Sequence, residues 1–299
     1  MRIAVIDLGT NTFNLTVSDV ADNKVMQLIE QKEPVKIGEG SLKNNRLQET
    51  PKKRGFSTLS LYKSIIEKYE PNKVFGFATS AIRSTDNGRE YIDHINKKLS
   101  LNIEIIDGNK EAYFIYQGVK NCINWKKNAL ILDIGGGSNE VIIGNNKEAY
   151  FLHSYNLGVA RLKQNFVLDD PLTESQKQIL FNHFDDTTQN LQTAIANHQP
   201  VTLIGSSGTF DTLHKILEAQ AETLNTNDFK ILIDRILSLN LAQKRQLKGM
   251  PPFRAEFIHL GVLFIQFLLT KFSPQEIIYS EYSLKEGVIF DQIKTMNNE

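Results

Sequence analysis

Apolar residues at the start of the chain fall into three short runs, RIAVIDLG (2–9), FNLTVSDV (13–20) and KVMQLIEQ (24–31). β-Branched residues fill them, and Gly9, Thr10, Asn11 and Thr12 separate the first two. This predicts a meander: strand, glycine turn, strand, a turn at ADN (21–23), and a third strand. The pattern returns at LILDIGGGSNEVIIG (130–144), followed by a turn at NNK (145–147) and a strand at EAYFLHS (148–154). Asp7–Leu8–Gly9 matches Asp133–Ile134–Gly135 at an offset of 126.

The correspondence continues along the chain. KIG (36–38) follows the first meander and NLG (156–158) the second. Helical periodicity then covers roughly 56–70 in one half and 173–196 in the other. VFGFATSA (74–81) and VTLIGSSG (201–208) predict strands ending in small residues, with Ala78 set against Gly205. EIIDGNKEAYFIYQGV (104–119) and EIIYSEYSLKEGVIFDQI (276–293) each predict a short strand, a polar turn and a helix. An extra helical stretch near 210–272 belongs to the second half only. Five matched elements in one order imply an internal duplication, two βββαβα-type lobes. The expected division is 1–123 and 124–299, with the final helix packing back on the first lobe. Because α/β layers bind ligands at the C-terminal ends of strands, lobes facing each other would gather DLGTNT, FATSA, DIGGGS and IGSSG around a central cleft.

Composition narrows the function. A chain of 299 residues suits two domains, and 41% hydrophobic with 23% charged residues suits a globular protein. Lys+Arg and Asp+Glu are both 34, which weighs against nucleic acid or an anionic membrane as partner. Cys122, the lone cysteine, allows no internal disulfide and no cysteine metal cluster. Arg2 and Asp7 break the N-terminal apolar stretch, so it is not read as a signal peptide. The longest apolar run, IHLGVLFIQFLL (258–269), predicts a buried helix rather than a membrane span. A cytoplasmic location is the expectation that follows.

The four loops are rich in Gly, Ser, Thr and Asn. Such a set of N–H and O–H donors fits phosphate. Glycines let backbone amides converge on an anion with no Cβ in the way. The halves differ at two charged positions: Arg83 faces Phe210 in the match, and Glu111 faces Ser283. Arg83 is suited to clamp a phosphate and Glu111 to deprotonate a water, with Glu140 helping to hold it. Asp133, with Asp7, is suited to a hard cation such as Mg²⁺. Plainer readings compete. Arg83 could pair with Asp86 or Glu90, Glu111 could only complement a helix dipole, and KKR (52–54) could only solvate a helix start. The histidines show no close H-x-x-x-H pair, and Ser206–Ser207–Gly208 lacks the G-x-S-x-G context of a serine hydrolase.

DLGTNTFNL (7–15), ATSAIR (78–83), DGNKEAYFIYQGV (107–119), ILDIGGGSNEVIIG (131–144), NLGVARL (156–162), GSSGTF (205–210) and SLKEGV (283–288) together resemble the exopolyphosphatase / guanosine pentaphosphate phosphohydrolase (Ppx/GppA) family. It belongs to the actin, sugar kinase and heat-shock chaperone superfamily. The resemblance spans essentially the whole chain, and Arg83 with Glu111 makes it specific. It implies an α/β fold of two duplicated ribonuclease-H-like (actin-like ATPase) domains. It further implies Mg²⁺-assisted hydrolysis of a terminal phosphoanhydride of polyphosphate or pppGpp, with Mn²⁺ as a possible substitute. By motif position Glu111 would be the base, Glu140 an auxiliary acid, and Asp133 with Asp7 the metal residues. Arg83, Asn11, Thr12, Gly136, Gly137, Ser138, Gly208 and Thr209 would hold phosphates. Arg161 would mark the second lobe's share.

The chain resembles the short, two-domain form of the family. It departs from the family's common pattern at Thr12 and Asn14, where serine and histidine are frequent, and at Lys110, where a second glutamate is frequent. Two other functions compete with the hydrolase: an ATP-binding kinase or chaperone of the superfamily, and a non-catalytic sensor of polyphosphate or (p)ppGpp. A homodimer is a further expectation.

Overall fold

A computed structural model describes residues 1–21 and 24–298, with side chains through residue 296. Ala21 closes the second strand, and the remainder of the turn expected at 21–23 lies outside the described residues. The chain forms two compact units, one of Met1–Gly118 together with the residues from Leu284 onward, the other Val119–Ser283. The division therefore falls at 118/119 rather than after 123, and the last helix counts with the first unit.

The first unit contains β1 (Arg2–Leu8), β2 (Phe13–Ala21), β3 (Lys24–Glu33), α1 (Glu49–Tyr69), β4 (Lys73–Ala78), α2 (Ser80–Arg83), α3 (Gly88–Leu99), β5 (Ile103–Ile105) and α4 (Gly108–Cys122), whose last residues cross the division. Its sheet runs β3-β2-β1-β4-β5. β1 and β2 are antiparallel, as are β2 and β3, while β1, β4 and β5 are parallel.

The second unit holds β6 (Ala129–Ile134), β7 (Asn139–Gly144), β8 (Ala149–Tyr155), α5 (Val159–Asn165), α6 (Glu174–Thr187), α7 (Gln189–His198), β9 (Thr202–Ser206), α8 (Ser207–Ile216), β10 (Thr223–Leu224), α9 (Thr226–Ser238), α10 (Leu241–Arg245), α11 (Ile258–Lys271) and β11 (Glu276–Tyr279). Its sheet, β8-β7-β6-β9-β11-β10, repeats the first order and adds β10 at the edge. The senses of pairing repeat as well. The duplication predicted from sequence is thus present in strand order and direction. The final helix, α12 (Leu284–Asn298), is tied to the first unit by Lys285 on Glu30 and by Tyr113 Oη donating to Asp291 at 2.8 Å.

The register moves the sequence alignment by two residues. Asp7 stands beside Phe77, and Asp133 beside Ser206. Gly205 therefore matches Gly76, not Ala78, and Arg83 matches Thr212 rather than Phe210. Glu111 is the fourth residue of α4, and Gly287 is the fourth of α12, so Ser283 is not its counterpart either. The asymmetry survives: Arg83 and Glu111 are matched by Thr212 of the second unit and by Gly287 of the last helix, which counts with the first unit.

Helix boundaries also differ. The helix expected from about 56 starts at Glu49, because Pro51 in the first turn gives up only an N–H that has no intrahelical partner. The helix expected over 173–196 is two, broken at Thr188. There the backbone leaves the helical region (φ −110°, ψ 26°), and the hydroxyl donates to the Phe184 carbonyl at 2.7 Å. The loop expected at GSSG already opens α8 at Ser207. The run over 258–269 is the buried helix that its short apolar length implied; Ile258 to Ile265 are all buried. No helix among the described residues is long and apolar enough to cross a membrane.

The second unit's core encloses a charged cluster around Lys244. Lys244 is fully buried, bonds Asp170, and places Nζ 3.1 Å from Nδ1 of His259. Burial, and then the Lys244 and Lys163 cations against the pull of Asp170, push the His259 imidazole down to about 4. Its folded value lies below its unfolded one, so the neutral ring stabilises the fold above about pH 6.5. That contribution fades as pH falls from there through about 4. Denaturant midpoints measured from pH 7 to pH 4 should fall, and His259→Gln should flatten the slope; an unchanged slope would remove His259 as its source.

Candidate active site

Each lobe builds its glycine turn in the same way. In the second unit Gly135 N–H donates to the Ser138 carbonyl at 3.0 Å and closes the turn. The start of α5 then takes up the turn's carbonyls. Val159 N–H donates to Gly135 O (3.1 Å), and Ala160 and Arg161 N–H both donate to Gly136 O (2.8 and 3.1 Å). Arg161 Nε adds a bond to Gly137 O at 2.8 Å. The amides of Gly136, Gly137 and Ser138 have no protein acceptor among the described residues. A loop whose carbonyls are spent and whose amides are not is an anion receptor.

In the first unit Lys36 N–H donates to Asn11 O (2.8 Å) and Gly38 N–H to Thr10 O (3.1 Å). The amides of Asn11 and Thr12 are again left without a protein acceptor among the described residues. KIG itself ties off the first turn, whereas NLG packs Gly158 on the second and leads into Val159–Arg161, which tie it off. Gly158 shows how close the tie is. A Cβ there would lie 2.4 Å from backbone atoms of Gly137 and 2.5 Å from Gly136.

The first unit also carries the charged pair. Arg83 closes α2, just beyond the C-terminal end of β4, and Glu111 lies in the first turn of α4, beyond β5. Arg83 Nη1 donates to Glu111 Oε2 at 2.7 Å and to the Ile106 carbonyl at 3.0 Å. Glu111 is buried, and the guanidinium is the more exposed member. Lys110, the departure from the family pattern, turns away to pair with Glu104. Ser80 Oγ, buried at the start of α2, has no hydrogen-bond partner among the described residues.

The two aspartates occupy equivalent positions in different settings. Asp7 lies opposite Asn14, whose amide donates to Oδ2 at 2.9 Å. Asp133 lies opposite Glu140, which is itself buried and accepts from Ser154 Oγ at 2.6 Å. Asp133 Oδ2 accepts from three hydroxyls, Ser206 at 2.9 Å and Ser207 and Ser283 at 2.6 Å each. Oδ1 accepts no hydrogen bond among the described residues. Among those residues no three His, Cys, Asp or Glu side chains form a ready metal cage. One rigidly held carboxylate with an open oxygen still suits Mg²⁺, which takes few protein ligands and completes its shell with water and phosphate.

Sequence reasoning passed over Ser207 and Ser283 as carboxylate partners and over Arg254 altogether. The Arg254 guanidinium lies on Gly208 at the start of α8, where a Cβ would come within 1.5 Å of Nη2. Desolvation lowers its basicity, opposed by Asp211 and Asp133. The side chain stays partly exposed by area, so the cation persists. Its signal was faint, a lone arginine in the loop PPFRAEF (251–257) that only the fold carries to Gly208.

Placed by unit, Asp7, Asn11, Thr12, Arg83 and Glu111 belong to the first, and Asp133, Gly136, Gly137, Ser138, Glu140, Gly208 and Thr209 to the second. Duplicated actin-like lobes with amide-lined turns and carboxylates at strand ends define a phosphate-handling enzyme class. Comparison with known proteins narrows this. The Ppx/GppA phosphatase family model matches residues 16–296, and the chain belongs to that family.

A crystal structure of an exopolyphosphatase from Cytophaga hutchinsonii matches with a TM-score of 0.94 and 34% identity, covering 99% of this chain and 98% of that one. The Aquifex aeolicus Ppx/GppA family member shares the fold, with a TM-score of 0.84 at 24% identity over 99% of both chains. A bifunctional 3-dehydroquinate synthase/phosphatase from Fusobacterium nucleatum is 30% identical over 97% of this chain, which spans 46% of that protein's length. The chain is therefore a member of a phosphatase family, with the actin-like fold expected from the sequence.

Two glycines separate stability from function. Gly158→Ala drives a Cβ into backbone that cannot yield, and should cost about 2 kcal/mol or more in denaturant unfolding. Gly208→Ala meets the movable end of Arg254, so it should keep most of the stability and weaken phosphate binding measured by calorimetry. Equal loss of stability in both would contradict this account of the two turns.

Proposed function

We propose that the protein hydrolyses the terminal phosphoanhydride of inorganic polyphosphate or of a guanosine polyphosphate. The Arg83–Glu111 pair supports this most directly: a buried carboxylate held at 2.7 Å by an arginine in the lobe that carries the Asn11–Thr12 turn. A terminal phosphate competes with Glu111 for Arg83, because its oxygens offer the guanidinium a bidentate partner. Glu111 gives up part of its ion pair as the substrate arrives and becomes the acceptor for a proton from water. Glu140, fixed by Ser154, is the auxiliary acid that the second unit supplies in this reading.

The free amides of Asn11 and Thr12, and those of Gly136, Gly137 and Ser138, donate to phosphate oxygens. The start of α8 at Gly208 and Thr209, with Arg254 against it, adds a third set of donors. Phosphoryl transfer depends mainly on such positioning and charge stabilisation. Mg²⁺, or Mn²⁺ in its place, would neutralise developing charge on phosphate oxygens, with Asp133 as the residue that fits it and Asp7 as the second candidate.

Glu111→Gln keeps a polar group beside Arg83 and removes the base. Phosphate release from polyphosphate and pppGpp should fall about a thousandfold, in the middle of the usual range of general-base effects. Substrate affinity by calorimetry should change little. Unaltered turnover would end the role of Glu111 as base. Measurable binding without release in the wild type would favour the sensor reading.

A further inference from the structure

The chain is neutral overall, yet residues 36–54 carry six cations and two acids. Glu39 is taken up by Arg54 and Glu49 by Lys52. Lys36, Lys43, Arg46 and Lys53 have no ion-pair partner among the described residues, and Lys43, Arg46 and Lys53 are exposed. Lys52 lowers the pKa of Glu49, and Lys53 and Arg46 lie close enough to add to that effect. A surface charge run is ordinarily a solvated face; the way this segment is fixed sets it apart.

It is bolted at both ends to the elements that frame the first lobe's site. At one end Lys36 and Gly38 bind the carbonyls of Asn11 and Thr10 in the glycine turn (2.8 and 3.1 Å). At the other end the segment binds the turn just after Arg83. Asp86 N–H donates to Asn45 O at 2.8 Å, Leu47 N–H donates to Asn87 Oδ1 at 2.7 Å, and Asn87 Nδ2 returns a bond to Leu47 O at 3.1 Å. Between these ends Leu42 and Leu47 are buried, and Ser41 Oγ donates to Ile37 O at 3.2 Å. Lys36, Lys43 and Arg46 are therefore carried on an ordered strap joining the Asn11 turn to the segment that presents Arg83, and Lys53 follows at the start of α1. Asp86 is the one exposed acid in the turn that the strap reaches, with Arg89 beside it.

We propose that this strap is a second anion site, which binds the distal, non-reacting stretch of a linear polyphosphate. The inference rests on the proposed function and deepens it, choosing polyphosphate over the guanosine substrate. A run of identical phosphates can engage several separated cations at once, and each contact releases counterions. A nucleotide or an RNA strand would instead call for aromatic faces to stack its bases. Residues 34–54 contain no Phe, Tyr or Trp.

The test is direct binding, so it does not depend on turnover. Wild type and the triple variant Lys43→Ala/Arg46→Ala/Lys53→Ala are titrated with long-chain polyphosphate, tripolyphosphate, pppGpp and a single-stranded RNA, at two salt concentrations. All three side chains are exposed, and thermal denaturation confirms that the variant folds. Affinity for the long chain should fall about tenfold or more, and its dependence on log salt should become shallower, as expected for lost phosphate contacts. Affinity for tripolyphosphate and pppGpp should stay within about twofold.

Unchanged long-chain affinity in a folded variant overturns the proposal. So does an equal loss for tripolyphosphate, which would mean a general field effect. Tight RNA binding lost in parallel would make the strap a nucleic-acid surface instead. A wild type that binds the long chain through the strap but releases no phosphate would defeat the proposed hydrolysis and leave this inference standing.

Discussion

The site depends on how a glycine turn's carbonyls are satisfied. A turn exposes both donors and acceptors, and an anion is repelled by the acceptors. In each lobe the segment after the third strand donates its own amides to those carbonyls, through Lys36 and Gly38 in one and Val159, Ala160 and Arg161 in the other. What remains is a row of N–H groups beside carbonyls already taken, the arrangement that preorganises an anion site. The close packing of Gly158 on Gly136 and Gly137 is the steric cost of that arrangement.

The lobes share this frame and differ in the chemistry added to it. In the first, β4 and β5 end in short connections to helices that bring Arg83 and Glu111 together from 28 residues apart. In the second, the equivalent strands lead to Thr212 and Gly287, and the charge lies instead on Asp133, with three serine hydroxyls on one oxygen. Duplication supplied two anion receptors. Divergence placed an arginine–glutamate pair in one lobe and a triply hydrogen-bonded carboxylate in the other. The cationic strap extends the same logic, because the segment that ties off the first turn is also the segment enriched in lysine and arginine.

Most of the frame was legible in the sequence because strand periodicity and glycine turns are local properties. DLGTNT and DIGGGS announced equivalent turns, and the order of the matched elements gave both sheets. The two-residue error in matching Ala78 with Gly205 has a physical cause. Strand pairing is set by hydrogen-bond register between distant segments, and small residues at strand ends look alike in one dimension. The break at Thr188 was hidden for a related reason, since the apolar spacing continues on both sides of it.

The sequence by itself determined the residue types, the repeated turns and the asymmetry between halves, because each follows from local composition and spacing. Tertiary structure alone decided which groups meet. Only folding brings Ser206, Ser207 and Ser283 onto one carboxylate oxygen, lays Arg254 on Gly208, and pins the 36–47 segment to both Asn11 and Asn87. These contacts join residues tens to more than a hundred positions apart, and their geometry is fixed by sheet register and helix packing rather than by any pattern within reach along the chain.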